Sequence, residues 1–352
     1  MGGLKIINGG LLSTVQDGGR NGYQQFGVPV SGVMDTYAYR LGNYLVGNSN
    51  KEAVIEVTLM GFVVEFLEDS IIAITGGDLT PTLNGKPIEM MKTVPVFSGD
   101  RLSFQKVKSG CRGYLAIAGG IDVPEVMGSR STYLPGAFGG HKGRALKKGD
   151  ELLIGSKNRK LKELMNRSLL EYTMDYSSIV LRIVPGPQEE AFSVESIQNF
   201  YSGEYRVTMD CDRMAYRLEG KKIVHKDKAE IISDAIAMGA VQIPGNGQPI
   251  VMMADRQTVG GYPKIGNVIA ADLPKLAQAK PGDVIRFQKV SIAEAEEALL
   301  KMEKELIKIT HCSGKHEDFT LKKEYLKFGQ RKYFVRINNK EFSVTVELKK
   351  DR

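Results

Sequence analysis

Residues 54–75 read VIEVTLMGFVVEFLEDSIIAIT, three short apolar runs separated by turn residues. The runs VIEVTL, FVVEFL and SIIAIT are rich in Val, Ile and Phe, the residue types that favour pleated strands. Similar runs, KIIN, RLSFQKV and YLAIAG, lie before and after them, and Asn84-Gly85 is a hairpin signal. The pattern predicts that the first half of the chain is mainly β.

One helix is predicted to interrupt these strands. Apolar residues recur at helical spacing between Asp35 and Val46: Tyr37, Ala38, Leu41, Tyr44 and Leu45. Asp35 can cap the amino end of this helix and Gly47 can end it. Whatever binds at 31–35 would therefore face a helix N-terminus, which favours anions.

The chain has 352 residues, enough for two domains with separate cores. Residues 156–178 are basic and then apolar without strand alternation, so we interpret them as a linker between β domains at 1–155 and 179–291. The segment GDRLSFQKV at 99–107 resembles GDVIRFQKV at 282–290, which suggests related halves. Residues 292–352 are expected to form a closing helix and a charged hairpin tail around Asn338-Asn339.

Charge and composition exclude several classes of protein. The net charge of +7 comes largely from residues 315–352, which hold 11 Lys and Arg and 6 Asp and Glu, so the main body is nearly neutral and nucleic acid is not expected as a partner. No apolar run approaches the roughly 20 residues that cross a bilayer. The three cysteines form neither a disulfide framework nor a metal pattern. We expect a cytoplasmic protein without a membrane partner.

The segment TVQDGGRNGYQQFGVPVSGVMD at 14–35 concentrates polar chemistry. An amide, a carboxylate, a guanidinium and a phenol lie among flexible glycines, and these groups can hold a small polar molecule. The same spacing also suits a surface turn with a solvated Arg–Asp pair.

A second segment, DRQTVGGYPK at 255–264, repeats this composition after the apolar strand 249–254. Functional residues are common on loops that a rigid scaffold positions, so the two loops could face one ligand. Between them, Arg213 and Arg217 are either an anion clamp or one face of a helix.

The loop GAFGGHKGR at 136–144 resembles a phosphate cradle but lacks the spacing of a P-loop. His141 is the only histidine in it, and the other three histidines have no spacing that suits a metal site. We predict no metal.

Several further segments complete a set of motifs: LAIAGGIDVPEVMGSRST, PGPQEEAF, DRMAYRLEG and GAVQIPGNGQPIVMMADRQTVGGYPKIGNVIAADLPKLAQAKPGD. With the 14–35 segment, they resemble the biotin-dependent carboxyltransferase family of the allophanate hydrolase subunit 2 (KipA) type, over about residues 4–291. The resemblance implies two tandem cyclophilin-like β-barrel domains with a few short helices.

The resemblance also implies an activity. A free-standing chain of this length is similar to family members that work with A-type and B-type (KipI-like) subunits of an ATP-dependent 5-oxoprolinase. That complex opens the lactam of 5-oxo-L-proline to L-glutamate, and ATP would be bound together with the partner subunits. Two alternatives stay open. Fused relatives form the carboxyltransferase part of urea carboxylase, so the chain could be the carboxyltransferase component of a urea carboxylase-like biotin enzyme. It could instead be a non-catalytic regulator that binds a kinase inhibitor.

The resemblance implies roles for the loop residues as well. A lactam activated by phosphorylation needs cations and amide donors to hold developing charge and a base to direct water. The expected catalytic residues are Asp17, Arg20, Asp255 and Arg256. The expected substrate-binding residues are Gln16, Tyr23, Asp35, Arg213, Gln242, Gln257, Tyr262 and Lys264.

The chain departs from the family pattern in two places. Asp210-Cys211-Asp212 stands where many relatives carry Ser-Ser-Asp, although both arginines of that motif are kept. The hairpin KYFVRINNKEFSVTVEL is similar to the opening of a biotin-carrier domain, but no AMKM-like acceptor follows it. We therefore expect no covalent biotin.

Overall fold

The structure is a computed structural model that describes residues 3–156, 161–169, 176, 179–311, 330–337 and 340–347. Within this part of the chain, residues up to 310 form one compact unit and residues 311–352 form a second, smaller unit. The helices are α1 (Thr36–Leu45), α2 (Leu161–Leu164), α3 (Val194–Ser202), α4 (Leu273–Ala277) and α5 (Ile292–His311).

The first half of the large unit consists of two antiparallel sheets. Its strands are β1 (Leu4–Gly9), β2 (Leu12–Gln16), β3 (Val54–Thr58), β4 (Phe62–Phe66), β5 (Ser70–Asp78), β6 (Pro81–Leu83), β7 (Lys86–Pro87), β8 (Thr93–Val96), β9 (Arg101–Phe104), β10 (Ser109–Ile117), β11 (Ile121–Asp122) and β12 (Glu151–Ile154). One sheet has the order β11-β12-β1-β4-β9-β6-β7 and the other β2-β3-β10-β5-β8. Alternate residues of both sheets, such as Ile6, Val64, Ile55 and Leu115, share one core.

The second half contains a closed barrel. The remaining strands of the large unit are β13 (Ile179–Pro185), β14 (Glu204–Cys211), β15 (Ala215–Gly220), β16 (Asp234–Ala235), β17 (Ala240–Gln242), β18 (Ile250–Met252), β19 (Val259–Gly260), β20 (Lys264–Val268) and β21 (Val284–Lys289). The barrel order is β13-β20-β17-β18-β15-β14-β21, closed by the parallel pair β13 and β21, while β16 and β19 form a separate ladder. The prediction of a mainly β chain is confirmed.

The α1 helix begins as the sequence predicts. The side chain of Asp35 accepts a hydrogen bond from the amide of Ala38 at 2.8 Å, and Gly47 follows the helix with a φ of 72°. This helix and the carboxyl half of α5 contribute to the same apolar cluster, which buries Leu306 and Ile309. Arg40 and Glu303 pair between the two helices.

The described part of the expected linker lies against the first half. The amide of Leu169 donates to the carbonyl of Met91 at 2.7 Å, and Leu164 and Leu169 are buried. The domain boundaries drawn from the sequence stay a prediction.

In the small unit, β22 (Gln330–Ile337) and β23 (Lys340–Glu347) form an antiparallel pair in which Ile337 is opposite Lys340. This agrees with the predicted hairpin, whose turn residues lie outside the described residues. None of the described helices is long and apolar enough to cross a membrane.

Candidate functional site

The loop after β2 is held by the carboxylate of Asp17, which is buried. It accepts hydrogen bonds from the hydroxyls of Ser129 at 2.6 Å and Ser131 at 2.5 Å, and from the amides of Arg130 at 2.6 Å and Gly19 at 2.9 Å. The hydrogen-bonding capacity of this carboxylate is therefore almost fully used within the protein. Asp17 ties its loop to 129–131, and this favours an anchoring role over the expected role as a base.

Arg20 lies beneath the same loop and has no exposed surface. Its guanidinium donates to the carbonyls of Val126 at 3.2 Å and Ser131 at 2.7 Å and lies 4.8 Å from the centre of the Phe138 ring. Burial lowers the pKa of Arg20, and nearby carboxylates, Asp255 among them, oppose this shift. Among the described residues, Nη1 has no hydrogen-bond partner. The alternative of a solvated Arg–Asp surface pair does not agree with this burial of Asp17 and Arg20.

The loop at 136–144, which resembles a phosphate cradle, packs against this arginine. A Cβ at Gly139 would lie 2.7 Å from Nη2 of Arg20, so only glycine leaves room for the guanidinium at this position. Close packing explains the glycine here.

The two polar loops meet through Arg213, a buried residue between β14 and β15. Its Nε donates to Asp255 at 2.9 Å, Nη1 donates to Glu56, and Nη2 donates to the carbonyl of Gly32 at 2.5 Å. In addition, the amide of Ser31 donates to the carbonyl before Asp255 at 3.1 Å. We call Glu56, Arg213 and Asp255 the interdomain network, because Glu56 lies in the first half and the other two lie in the barrel half.

The interdomain network is charged but almost inaccessible to water. The exposed fraction of each of its three side chains is 4% or less. Burial alone would lower the pKa of Arg213, but the carboxylates of Asp255 and Glu56 raise it above its usual value. The expected meeting of the two loops is thus present, with Arg213 binding protein groups on both sides.

Arg256, an expected catalytic residue, is buried. It is 6% exposed and donates to the carbonyls of Ile236 at 3.0 Å and Met253 at 3.2 Å. Burial lowers its pKa to about 10. The chain turns back after β18, so the guanidinium folds under its own loop instead of leaving the strand end.

A cleft of about 600 Å³ lies on the outer face of the barrel. Three predicted substrate-binding residues line it: Gln242, Gln257 and Tyr262. The other lining residues include Asp210, Asp212, Met214, Arg217, Ile250 and Met252. We call this the outer cleft. Its volume is within the range that accepts small molecules.

Two residues of the interdomain network, Arg213 and Asp255, are close in sequence to residues that line the outer cleft. Arg213 stands between Asp212 and Met214, which line the cleft, and Asp255 lies two residues before Gln257. The salt bridge between Arg213 and Asp255 therefore fixes the spacing of the two loops that form the cleft wall.

The other predicted residues lie elsewhere. Gln16 is buried and donates to the carbonyl of Thr132 at 3.1 Å, and the ammonium of Lys264 is buried beside Asp234 at 2.8 Å. Asp35 is buried as the cap of α1, and Tyr23 is partly exposed at the start of a short helical turn. None of these four residues lines the outer cleft.

Sequence reasoning missed several residues that organise this region. Gln278 donates to Asp35 at 2.8 Å, and its side-chain oxygen accepts from the amides of Cys111 at 3.1 Å and Arg112 at 2.9 Å. These two amides lie where the pairing of β10 with β5 shifts register, so Gln278 binds the first half at this irregularity. Glu56 is a buried carboxylate in the apolar strand β3. In the sequence, the one feature that could have indicated its role is a charged residue within the apolar run VIEVTL.

Charged and thiol side chains offer no metal centre in the described ranges, where no group of three or more His, Cys, Asp or Glu residues is placed to hold an ion. Cys111 and Cys211 are free thiols. The candidate site is therefore built from amide, guanidinium, carboxylate and phenol groups.

Comparisons with known proteins agree with the resemblance. The family model described as carboxyltransferase domain, subdomain A and B matches residues 26–289. The chain is 40% identical to the C-type subunit of 5-oxoprolinase from Escherichia coli (strain K12) over 84% of its own length and 94% of that protein. It is 37% identical to urea amidolyase of Lachancea kluyveri over 84% of its length and 17% of the relative.

A solved structure with a similar fold agrees with this family assignment. The crystal structure of the K. lactis urea amidolyase superposes with a TM-score of 0.80 and 31% identity, covering 90% of this chain and 20% of the larger one. These matches confirm the family predicted from the motifs, and the chain belongs to the carboxyltransferase family with subdomains A and B.

Proposed function

We propose that the chain is the C-type subunit of an ATP-dependent 5-oxoprolinase, which hydrolyses 5-oxo-L-proline to L-glutamate. The observation that carries this proposal is the identity with the C-type 5-oxoprolinase subunit of Escherichia coli, which extends over nearly the whole of that protein. The outer cleft supports the proposal because its amide and phenol groups suit a small polar amide.

The chemistry defines what the cleft must do. A lactam is unreactive because its nitrogen lone pair is delocalised into the carbonyl, and phosphorylation of the oxygen by ATP makes the carbon a better electrophile for water. Donors placed around that oxygen stabilise the charge that develops on it. We assign the orientation of the lactam to Gln242, Gln257 and Tyr262, the three predicted residues that line the cleft.

Buried residues have a different proposed role. Asp17, Arg20 and Arg256 bind protein groups and are nearly inaccessible, so we propose that they hold the loops in place. Asp255 is equally buried and accepts from Arg213, and its charge favours the charged forms of both Arg213 and Arg20. We propose that it tunes the electrostatics behind the cleft.

The proposal includes partners and a compartment. The term "subunit" in the names of the relatives supports a multi-subunit complex, and we propose A-type and B-type (KipI-like) subunits as its other members. ATP would bind at sites that these partners complete, in the cytoplasm, and no covalent biotin is required.

Reconstitution tests the proposal. The purified chain is mixed with candidate A-type and B-type subunits, and glutamate release from 5-oxo-L-proline is measured with and without ATP. We expect turnover only with all three chains and ATP, and each omission serves as a control. Turnover by this chain alone, or no dependence on it, would refute the subunit role.

A second candidate function is carboxyl transfer in a urea carboxylase. It is favoured by the identity with urea amidolyase and by the superposition on its crystal structure. In that case a separate biotin carrier would supply the carboxyl group, and urea carboxylation by the assembled components would depend on this chain. The third alternative, a regulator that binds a kinase inhibitor, stays a prediction.

A further inference from the structure

Three residues form a row across the outer face of the barrel. Arg217 of β15 is opposite Ile250 of β18, and Ile250 is in turn opposite Gln242 of β17. Successive residues of a strand point to opposite faces, and the chain neighbours of the row lie in the barrel core: Tyr216, Val251 and Val241. All three residues of the row line the outer cleft.

The row places a cation and an amide on either side of an apolar floor. Adjacent strands are about 4.8 Å apart, so the backbones of Arg217 and Gln242 are roughly 10 Å apart. Arg217 is exposed, whereas Gln242 is 2% exposed and borders the cleft with only part of its side chain. A small molecule over Ile250 can therefore contact the guanidinium of Arg217 and that part of Gln242.

Arg217 is available to bind an anion. The residue is exposed, and among the described residues its guanidinium forms no ion pair. Arg213 differs, because its guanidinium N–H groups donate to two carboxylates and a carbonyl of the protein. An arginine guanidinium stays charged at any physiological pH and matches the geometry of a carboxylate.

The amide of Gln242 has an unused acceptor. Its Nε2 donates a long hydrogen bond of 3.4 Å to the carbonyl of Tyr262. No described residue donates to its Oε1 in the structure, and this atom can accept from a ligand N–H group. A lactam N–H is such a donor.

Two aspartates also line the cleft, and they limit where an anion can sit. Oδ1 of Asp212 accepts from the amides of Met214 at 2.7 Å and Ala215 at 3.0 Å, which makes it part of a local turn. Asp210 is exposed and shares the wall with Arg217. A single carboxylate fits beside Arg217, whereas a second anionic group would approach Asp210.

We propose that Arg217 is the residue that recognises the carboxylate of the ligand, and that the outer cleft selects a small lactam bearing one carboxylate. The inference rests on the proposed function. In 5-oxo-L-proline the carboxylate and the lactam N–H are attached to the same carbon. Arg217 and Gln242 can therefore engage them from opposite sides of Ile250, while the ring methylenes lie on the apolar floor.

Binding to the purified chain tests the proposal directly. The probes for calorimetry are 5-oxo-L-proline and 2-pyrrolidinone, the same lactam without the carboxylate. Arg217→Gln should weaken 5-oxo-L-proline binding about 10- to 100-fold, as expected for a lost charge-assisted hydrogen bond. Its affinity for 2-pyrrolidinone should stay within about twofold, because no charged contact is lost.

The matched control is Arg206→Gln, which makes the same charge change in the same barrel. Arg206 is exposed, donates to the carbonyl of Gly282 at 2.7 Å and lines neither the outer cleft nor the adjoining cavity. It should leave both affinities unchanged. In the reconstituted complex, Arg217→Gln should raise KM for 5-oxo-L-proline by the same factor and leave kcat within about threefold.

The outcomes separate the two proposals. Equal affinity of wild type and Arg217→Gln for 5-oxo-L-proline, or no binding by the wild type at tens of millimolar, overturns the carboxylate site. If the complex turns over 5-oxo-L-proline with the same KM for wild type and Arg217→Gln, this inference is overturned and the proposed function is retained. Binding that depends on Arg217 without any turnover by the complex overturns the proposed function and retains the carboxylate site.

Discussion

Replacing Arg213 by methionine tests whether the interdomain network stabilises the large unit. The substitution keeps an apolar stem of similar length and removes, among the described residues, the only cation that binds both Glu56 and Asp255. Glu56 keeps a longer contact of 3.9 Å with Arg112. Both carboxylates have exposed fractions of 2% or less. Breaking a buried ion pair from one side leaves an uncompensated charge and costs about 3–5 kcal/mol.

The expected loss is measurable by thermal unfolding of the purified chain. The large unit ends at Thr310. With an unfolding entropy of roughly 2.1 cal/mol/K per residue, each kcal/mol lowers the Tm of a unit of this size by about 1.5 °C, so we expect a decrease of about 5–8 °C. Arg286→Met is the matched control, because Arg286 and Glu204 form an ion pair whose side chains are 55% and 58% exposed. An exposed pair contributes about 0–1 kcal/mol.

A rescue variant identifies the source of the loss. Adding Glu56→Gln and Asp255→Asn to Arg213→Met removes the two buried carboxylate charges that have lost Arg213, and we expect at least half of the lost stability to return. A loss below about 1 kcal/mol for Arg213→Met, or no rescue by the two neutralising substitutions, would refute the view that charge pairing in the network stabilises the fold.

Four further predictions follow from the same contacts. Arg256→Ala should lower the unfolding free energy by about 1–3 kcal/mol in denaturant melts, because the buried carbonyl of Ile236 loses its side-chain donor and that of Met253 keeps only the backbone amide of residue 256; an unchanged midpoint contradicts this. Burial raises the pKa of Asp35 to about 6, above about 4 in the unfolded chain. The folded state therefore binds this proton more tightly, and stability declines from about pH 4 to pH 6. Asp35→Asn should lack that decline in melts at pH 4 to 7. If wild type and Asp35→Asn showed parallel curves of stability against pH, the pKa of Asp35 would not cause the decline. Deleting residues 315–352 should change Tm by less than about 2 °C, because residues 311–352 form their own compact unit. Streptavidin blots of the chain from its native host should be negative, and a positive blot would revive the biotin-dependent alternative.

Local signals in the sequence predicted local structure well. The strands around residue 60 and the Asp35 cap of α1 could be predicted because their determinants lie within a few residues of each other. Partners distant in the chain could not be predicted in this way. Asp17 binds Ser129 and Ser131, which lie more than a hundred residues away, and no spacing rule indicates such contacts.

The repeated GD segments show a limit of short motifs. Asp100 and Asp283, the aspartates of the two similar segments, each accept a hydrogen bond from the amide three residues earlier, at 2.8 and 3.0 Å. Asp150 makes the same turn at 2.9 Å before β12. Since the turn occurs a third time without the rest of the segment, its geometry alone does not show that the two halves are related.

Three arginines of the predicted site lie in buried positions. Loop composition suggested that Arg20, Arg213 and Arg256 contact a ligand, yet all three are 6% exposed or less and donate to protein oxygens. Burying a guanidinium costs free energy that only several hydrogen bonds offset. Arginines that make such bonds therefore act as cross-links between loops, with few donors left for a substrate.

Arg217 makes no ion pair with any described residue, and this difference leads to a final prediction for the reconstituted complex. Arg256→Ala should lower stability and reduce kcat through disorder of the 255–262 loop, whereas Arg217→Gln should leave Tm within about 2 °C of wild type and raise KM. If instead Arg256→Ala raised only KM at unchanged Tm, the buried arginine would reach the substrate after all. The loop would then have to open during turnover, because the present contacts of Arg256 leave it almost no exposed surface.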